Sequence, residues 1–245
     1  MIESTIPNTE QLSEYTTAEL KQKLLQLIED KDSQPLRQKV EYDQQQLAPI
    51  VTELSQRNLP QAEDQVPLVL GIWTPVWSTI PFQDILPGRV LEQSYQIFHD
   101  DGYYANIARY APGNKLKLGW LQKIASFLLA FDLMVIQKYQ VKDGRWLIEN
   151  IGIKQAIRWQ GVDLTSAKAD DWFTKVVQKT SAKEASSQIK LKNLSNSTAK
   201  KFKTAFRATP QFEHLYIDRD FRIVKTRREA KQRPSYTIAI RKELQ

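Results

Sequence analysis

The chain contains no cysteine, only two histidines and only eight glycines in 245 residues. Without cysteine it has no disulfide framework, no thiolate nucleophile and no cysteine-ligated zinc site. The two histidines, His99 and His214, stand far apart and have no metal-binding spacing. No glycine-rich phosphate loop, serine nucleophile elbow or metalloprotease motif occurs. No such motif therefore assigns a residue to catalysis, to a metal or to a cofactor.

Long hydrophobic runs are also missing. The longest, residues 124–136, has 13 residues and contains Asp132, so it is too short and too polar to cross a bilayer. The first residues are polar and acidic, without the basic and apolar regions of a signal peptide, so we expect none. Residues 1–15 are predicted to be a flexible lead.

The charge is distributed unevenly. The formal net charge is +7, but residues 1–66 carry 6 basic and 12 acidic side chains, whereas residues 183–245 carry 16 and 6. The basic segment 225–233 could be a solvated surface, or it could contact an anionic membrane. Nucleic acid is the least favoured partner, because no RNP, KH or helix-turn-helix signature is present.

Helical spacing dominates the first sixty residues. Thr16 and Glu19 form a capping-box pattern, which predicts a helix that continues to about residue 30. A second helix is predicted over residues 36–57, and Pro49 should kink or split it. We therefore expect an N-terminal helical hairpin over residues 16–59, packed on the rest of the chain and followed by a linker over residues 60–67.

From residue 68 onward the apolar pattern changes to the period of two that is typical of strands. Asp143-Gly144 is the clearest hairpin turn, and Gly152 indicates a bulge. Residues 172–177 and 202–206 fit short helices, and residues 115–131 fit either a helix or two strands. Strands are predicted at 68–78, 89–98, 103–110, 132–141, 146–159, 212–226 (a hairpin) and 235–241. About eight antiparallel strands after two helices indicate an α+β fold with a closed barrel.

Two distant segments resemble motifs of the plastid lipid-associated protein family, also called the PAP/fibrillin family. The first is the strand at residues 70–79, which follows Asn58-Leu59-Pro60, and the second is the hairpin at residues 215–223. The matching residues are Gly71 and Trp73 in the first segment, and Tyr216, Asp218, Asp220, Arg222 and Ile223 in the second. Trp77 replaces the family's tyrosine, Ser78 replaces its threonine, and the basic loop 227–234 is longer than the family's turn.

This resemblance covers roughly residues 16–242. It implies a lipocalin-like barrel over residues 68–245, association with thylakoid membranes or lipid bodies, and binding of isoprenoid-type or other apolar molecules. The acidic N-terminus lacks a plastid transit peptide, which favours a divergent cyanobacterial member. We expect such a protein in the cytoplasm or peripheral to the thylakoid membrane.

The predicted ligand site is an apolar pocket inside the barrel, because small-molecule sites are concave and mostly apolar or aromatic. Its candidate residues are Trp73, Trp77, Tyr95, Trp146, Tyr216 and Arg222. Alternatively, the rings simply fill the barrel. If Arg222 points inward, its charge needs a partner or the anionic head group of a ligand.

Asp218 and Asp220 are predicted to stabilise a hairpin through the amides of their own turn. A metal site or an acid–base pair is the alternative. The favoured function is non-enzymatic binding of an apolar small molecule of the lipid, isoprenoid quinone or carotenoid type. Two other hypotheses stay open: docking to a membrane or a protein through the basic C-terminal surface of a filled barrel, and an enzyme that uses Asp218 or Asp220 as a base.

Overall fold

The computed structural model describes residues 12–58, 61–81, 88–111, 129–181, 211–227 and 233–243. The helices in these ranges are α1 Thr17–Ile28, α2 Leu36–Tyr42, α3 Ala48–Gln56, α4 Ala62–Val69 and α5 Ser166–Ser181, with a π-helical turn at Asp43–Leu47. The strands in these ranges are β1 Gly71–Ser78, β2 Arg89–Phe98, β3 Tyr103–Tyr110, β4 Leu129–Lys142, β5 Arg145–Trp159, β6 Gln211–Ile217, β7 Phe221–Arg227 and β8 Ser235–Lys242.

The strands form one antiparallel sheet that closes into a barrel. Each strand pairs with the next in chain order, and β8 pairs with β1. The α+β class and a sheet of eight described strands are thus confirmed. The seam between β5 and β6 is short: among the described residues it consists of Trp146 opposite Phe212 and Leu147 opposite Gln211.

The β4–β5 hairpin has the turn and the bulge that the sequence predicted. Asp143 and Gly144 have φ angles of 52° and 69°, the positive values that a tight primed turn requires. Gln137 pairs with Asn150 whereas Ile136 pairs with Gly152, so β5 carries one extra residue at this point. Local turn chemistry therefore sets this register.

The N-terminal helices cover the outer side of β1 and β6–β8. The capping box is confirmed, with the Glu19 amide donating to Thr16 Oγ1 (3.3 Å) and the Thr16 amide donating to Glu19 Oε2 (2.7 Å). The predicted interruption at Pro49 is confirmed too, because the π-helical turn ends just before it and Pro49 lies in the first turn of α3. A proline is tolerated there since its missing N–H has no partner to lose.

Residues 60–67 are not simply a linker, and that prediction is wrong. Residues 62–69 form α4, whose apolar side packs against the aromatic residues at one end of the barrel. Gln65 accepts a hydrogen bond from the Trp146 indole (3.1 Å), and Glu63 accepts one from the Gly144 amide (3.0 Å). These contacts place α4 across this end of the barrel.

Helix α5 covers the outer side of β2–β4, where Phe173 and Val177 are buried. The short helix predicted at residues 172–177 is therefore confirmed as part of a longer one. Of residues 115–131, predicted as a helix or two strands, residues 129–131 begin β4 and the others lie outside the described residues, as do residues 202–206. In the part of the chain that the structure describes, no helix has the length and apolar character needed to span a membrane.

Candidate functional site

Three of the six predicted pocket residues share the inner face of the barrel. Residues directly opposite each other on paired strands lie on the same face of a sheet. Trp73 pairs with Gln96, and the Gln96 side chain accepts a hydrogen bond from Arg222. Trp146 lies on the same inner face, in the aromatic cluster that contains Trp73.

The prediction was wrong for Trp77, Tyr95 and Tyr216, which lie on the outer face. The Tyr95 hydroxyl donates to the Leu164 carbonyl (2.9 Å) in the segment leading to α5. Trp77 and Tyr216 pack under the N-terminal helices, and the ring of Trp77 lies 6.0 Å from that of Tyr42. None of the three can line the interior.

Two β-bulges turn Trp77 and Tyr216 outward. In β1 the register shifts between Pro75 and Trp77, and in β6 it shifts between His214 and Tyr216. Strand alternation would put each pair on one face, but an extra residue between them reverses the second side chain. His214, which precedes the bulge in β6, keeps its place on the inner face; the sequence analysis did not assign it to the site.

Arg222 is a buried cation that has no counter-ion among the described residues. Its side chain is fully buried, and the guanidinium carbon lies 4.9 Å from the centre of the Trp73 ring and 4.7 Å from that of Phe98. Nη2 donates to Gln96 Oε1 (2.5 Å), whereas Nε and Nη1 have no hydrogen-bond partner. Burial lowers the pKa of Arg222 to about 9, so the side chain stays charged at neutral pH.

From Arg222, a chain of amide side chains follows the inner wall. Each NH₂ group donates to the oxygen of the next residue, with distances of 2.9 Å, 2.9 Å and 2.7 Å along the series. We call this series the amide ladder; its members are Gln96 on β2, Asn106 on β3, Gln137 on β4 and Asn150 on β5. The Tyr104 hydroxyl also donates to Asn106 (2.7 Å), and burial raises its pKa to about 12. The ladder thus links the inner faces of four consecutive strands, from β2 to β5.

His214 is neutral and buried beside this cluster. Its ring centre lies 4.9 Å from those of Trp146 and Phe212, and neither ring nitrogen has a hydrogen-bond partner. Burial, followed by the charge of Arg222, holds the pKa of His214 well below its ordinary value. Arg222 is therefore the charged member of this pair.

One end of the interior is closed by α4 and Arg241. The Arg241 guanidinium stacks on Trp73 at 4.3 Å and donates to the carbonyls of Leu68 (2.5 Å) and Leu70 (2.6 Å). The Trp73 indole donates to the Val69 carbonyl (2.7 Å). These bonds satisfy the last carbonyls of α4 and fix the helix on the barrel.

The opposite end has an exposed apolar inner wall, which we call the mouth. Leu129 pairs with Trp159 at the open end of the β4–β5 hairpin, away from its turn, and Phe131 pairs with Ile157 one step further in. Leu129, Ile157 and Trp159 are 51%, 55% and 61% exposed. Deeper on the same face, Ile153, Asn150 and Asn106 are still partly exposed. Partly exposed side chains thus occur on this face from the mouth to the amide ladder, while Tyr110 and Leu133 on the same face are buried.

The Asp218–Asp220 hairpin lies on the other side of the sheet from this interior. Asp218 Oδ1 accepts from the amides of Asp220 (3.1 Å) and Phe221 (2.9 Å), while Oδ2 contacts Lys21 Nζ (2.8 Å) and the Tyr216 hydroxyl (2.6 Å). Partial burial raises the pKa of Asp218, but these hydrogen bonds outweigh it and lower the pKa to about 2. The two carboxylates therefore hold the hairpin and helix α1 together.

Among the described residues, no three side chains of the metal-ligating types form a cluster. No protein-family model matches the chain, and no curated protein matches it. The resemblance to the PAP/fibrillin family therefore stays a prediction.

Proposed function

We propose that this protein binds an apolar small molecule inside a lipocalin-like barrel and does not transform it. The ligand class is that of lipids, isoprenoid quinones or carotenoids, as the PAP/fibrillin resemblance implies. The observation that carries the proposal is the mouth, where Leu129, Ile157 and Trp159 expose large apolar surfaces on the inner side of a closed sheet. An apolar tail that covers these side chains removes their surface from water, at about 25 cal/mol per Å².

The positions of Asp218 and Asp220, the two carboxylates that could act as a base, favour a binding function over a catalytic one. Asp218 and Asp220 both contact Lys21, at 2.8 Å and 2.6 Å, in the outer hairpin. They do not face the inner wall on which an apolar ligand would lie. The proposal therefore assigns them to the scaffold.

The mouth also suggests how such a ligand reaches the barrel. Tryptophan favours membrane–water interfaces, since its ring is apolar and its N–H is polar. We propose that Trp159 and Leu129 rest at the surface of a thylakoid membrane or lipid body. Docking through the basic segment 225–233 is less well supported, because Lys225 pairs with Glu213 (2.9 Å).

Extraction of the purified protein with organic solvent, together with native mass spectrometry, tests the proposal. We expect a co-purified apolar compound, or saturable uptake of one from liposomes. Ile157→Arg should abolish uptake by placing a charge in the mouth. Leu147→Arg is the matched control, because Leu147 is 46% exposed but faces outward beside the inward-facing Trp146. Wild-type protein that neither retains nor takes up any apolar compound would contradict the proposal.

A further inference from the structure

We infer that the ligand of the barrel carries an anionic head group, and that Arg222 selects it. This inference rests on the proposed function, since it presumes that a molecule enters through the mouth. It adds the chemical class of the ligand, an amphipathic acid with a long apolar tail. A carboxylate and a phosphate ester share the chemistry that the site recognises.

The first argument is the charge balance of the interior. A buried cation is costly unless it is paired, and Arg222 forms no ion pair with any described carboxylate. Of the titratable groups that act on it, Tyr104 and His214 are neutral at physiological pH, whereas Arg241 is a second cation. An anion brought into the interior would therefore be the first charge to offset that of Arg222.

The second argument is the free donor capacity of the guanidinium. The guanidinium carbon lies over the rings of Trp73 and Phe98, which offer no hydrogen-bond acceptor in the ring plane, so its polar contacts depend on its N–H groups. Gln96 accepts a hydrogen bond from Nη2, while Nε and Nη1 have no acceptor. The N–H groups on Nε and Nη1 can therefore each donate to an oxygen of a bound carboxylate or phosphate.

The third argument is the order of surfaces along the inner wall. Trp159 and Ile157 at the mouth are apolar, whereas Asn106 and Asn150 deeper in are polar and partly accessible. The amide ladder links both asparagines to Gln96, which is the residue that Arg222 contacts. A molecule with its tail at the mouth and its acid at the ladder matches this order.

A competition assay tests the inference. A neutral fluorescent reporter, N-phenyl-1-naphthylamine, fills the apolar site and is displaced in turn by hexadecanoic acid, hexadecan-1-ol and monohexadecyl phosphate. At about pH 8, where a carboxylic acid is ionised, wild-type protein should bind an anionic compound about tenfold or more tightly than the alcohol. The two acids distinguish a carboxylate head from a phosphate head. High salt removes any attraction to the basic surface but leaves the buried contact.

Variants assign the preference to one side chain. Arg222→Met should bring acid and alcohol to within about twofold of each other while the alcohol affinity stays unchanged. Arg222→Lys keeps the charge and should keep part of the preference. Arg37→Met is the matched control, because Arg37 is an exposed helix residue; it should behave as wild type.

The outcomes separate the two proposals. If the reporter, the alcohol and both acids all fail to bind wild-type protein, the proposed function is wrong and the inference fails with it. If the reporter and the alcohol bind but neither acid is preferred, apolar binding stands and the anionic head group is refuted. The comparison of acids with alcohol uses wild-type protein alone, so it tests the anionic head group even if Arg222→Met does not fold.

Discussion

Asp132→Asn should be among the most destabilising single polar substitutions in this chain. Asp132 is fully buried on the outer face of β4, and Arg109 on β3 is buried beside it. Arg109 Nε donates to Oδ1 (2.7 Å) and Nη2 donates to Oδ2 (3.0 Å), while the Val162 carbonyl and the Gln93 side chain accept from Nη1. This arrangement ties the sheet to the segment that leads into α5.

The magnitude follows from the burial of both ions. Removing one partner of a buried pair leaves an uncompensated charge, which costs about 3–5 kcal/mol. For a domain of this size, each kcal/mol lowers Tm by about 2–4 °C, so we expect a loss of roughly 6–20 °C. The double variant Arg109→Met with Asp132→Leu should recover most of this loss, because neither of these two charges is then left buried alone. Arg158 also contacts Asp132 Oδ2 (3.0 Å), but its side chain is 38% exposed, so water can solvate its charge when the carboxylate is removed.

Urea unfolding followed by tryptophan fluorescence, together with thermal melts, measures the change. Asp171→Asn is the control, since it removes an exposed ion pair with Lys175 on α5 and should cost about 0.5 kcal/mol or less. A loss under about 1 kcal/mol for Asp132→Asn would refute the reasoning that this pair is desolvated. A double variant no more stable than the single one would show that packing, rather than the stranded charge, sets the cost.

Two further predictions follow from single residues. Burial raises the pKa of Asp43 from 3.8 to about 6 despite the opposing charge of Arg233. The folded state therefore binds this proton more tightly than the unfolded state does. The stability that this proton contributes is lost as the pH rises from 3.8 through 6. Asp43→Asn should raise the free energy of unfolding at about pH 7.5 by about 1–3 kcal/mol and have little effect below about pH 4, as urea titrations across that range will show; a constant offset at every pH would contradict it. Gly88 and Gly144 both have positive φ, but a Cβ at Gly88 would lie 2.5 Å from the Ala111 carbonyl oxygen, whereas one at Gly144 meets nothing within 4 Å. Gly144→Ala should cost about 1–2 kcal/mol, the left-handed penalty alone, and Gly88→Ala clearly more; equal costs in thermal melts would contradict the clash.

Features that depend on a few neighbouring residues could be predicted from the sequence. The primed turn at Asp143-Gly144, the bulge at Gly152 and the capping box at Thr16 each follow from local chemistry. The number of strands and the α+β class follow from such turns and from the change of apolar period. The sequence left open whether Arg222 points inward, because the face on which it lies depends on the register of β7.

Features set by tertiary pairing could not be predicted. Trp77 was assigned to the interior because strict alternation puts it with Trp73, and the bulge that reverses it exists only against β8. Helix α4 is short and contains Pro67, so its local propensity is weak, and it depends on contacts with Trp73 and Trp146 at the end of the barrel. The amide ladder is invisible in the sequence, because its members are separated along the chain and only the strand register brings them together.

The donor-only character of arginine has a consequence for the orientation of these amides. A guanidinium has no acceptor atom, so Gln96 must turn its oxygen toward Arg222 and its NH₂ group toward Asn106. That choice passes along β3 and β4 until Asn150 also presents its oxygen to the preceding amide. A single positive charge on β7 thus dictates the polarity of hydrogen bonds as far as β5, and a glutamate in its place would demand that each amide be reversed.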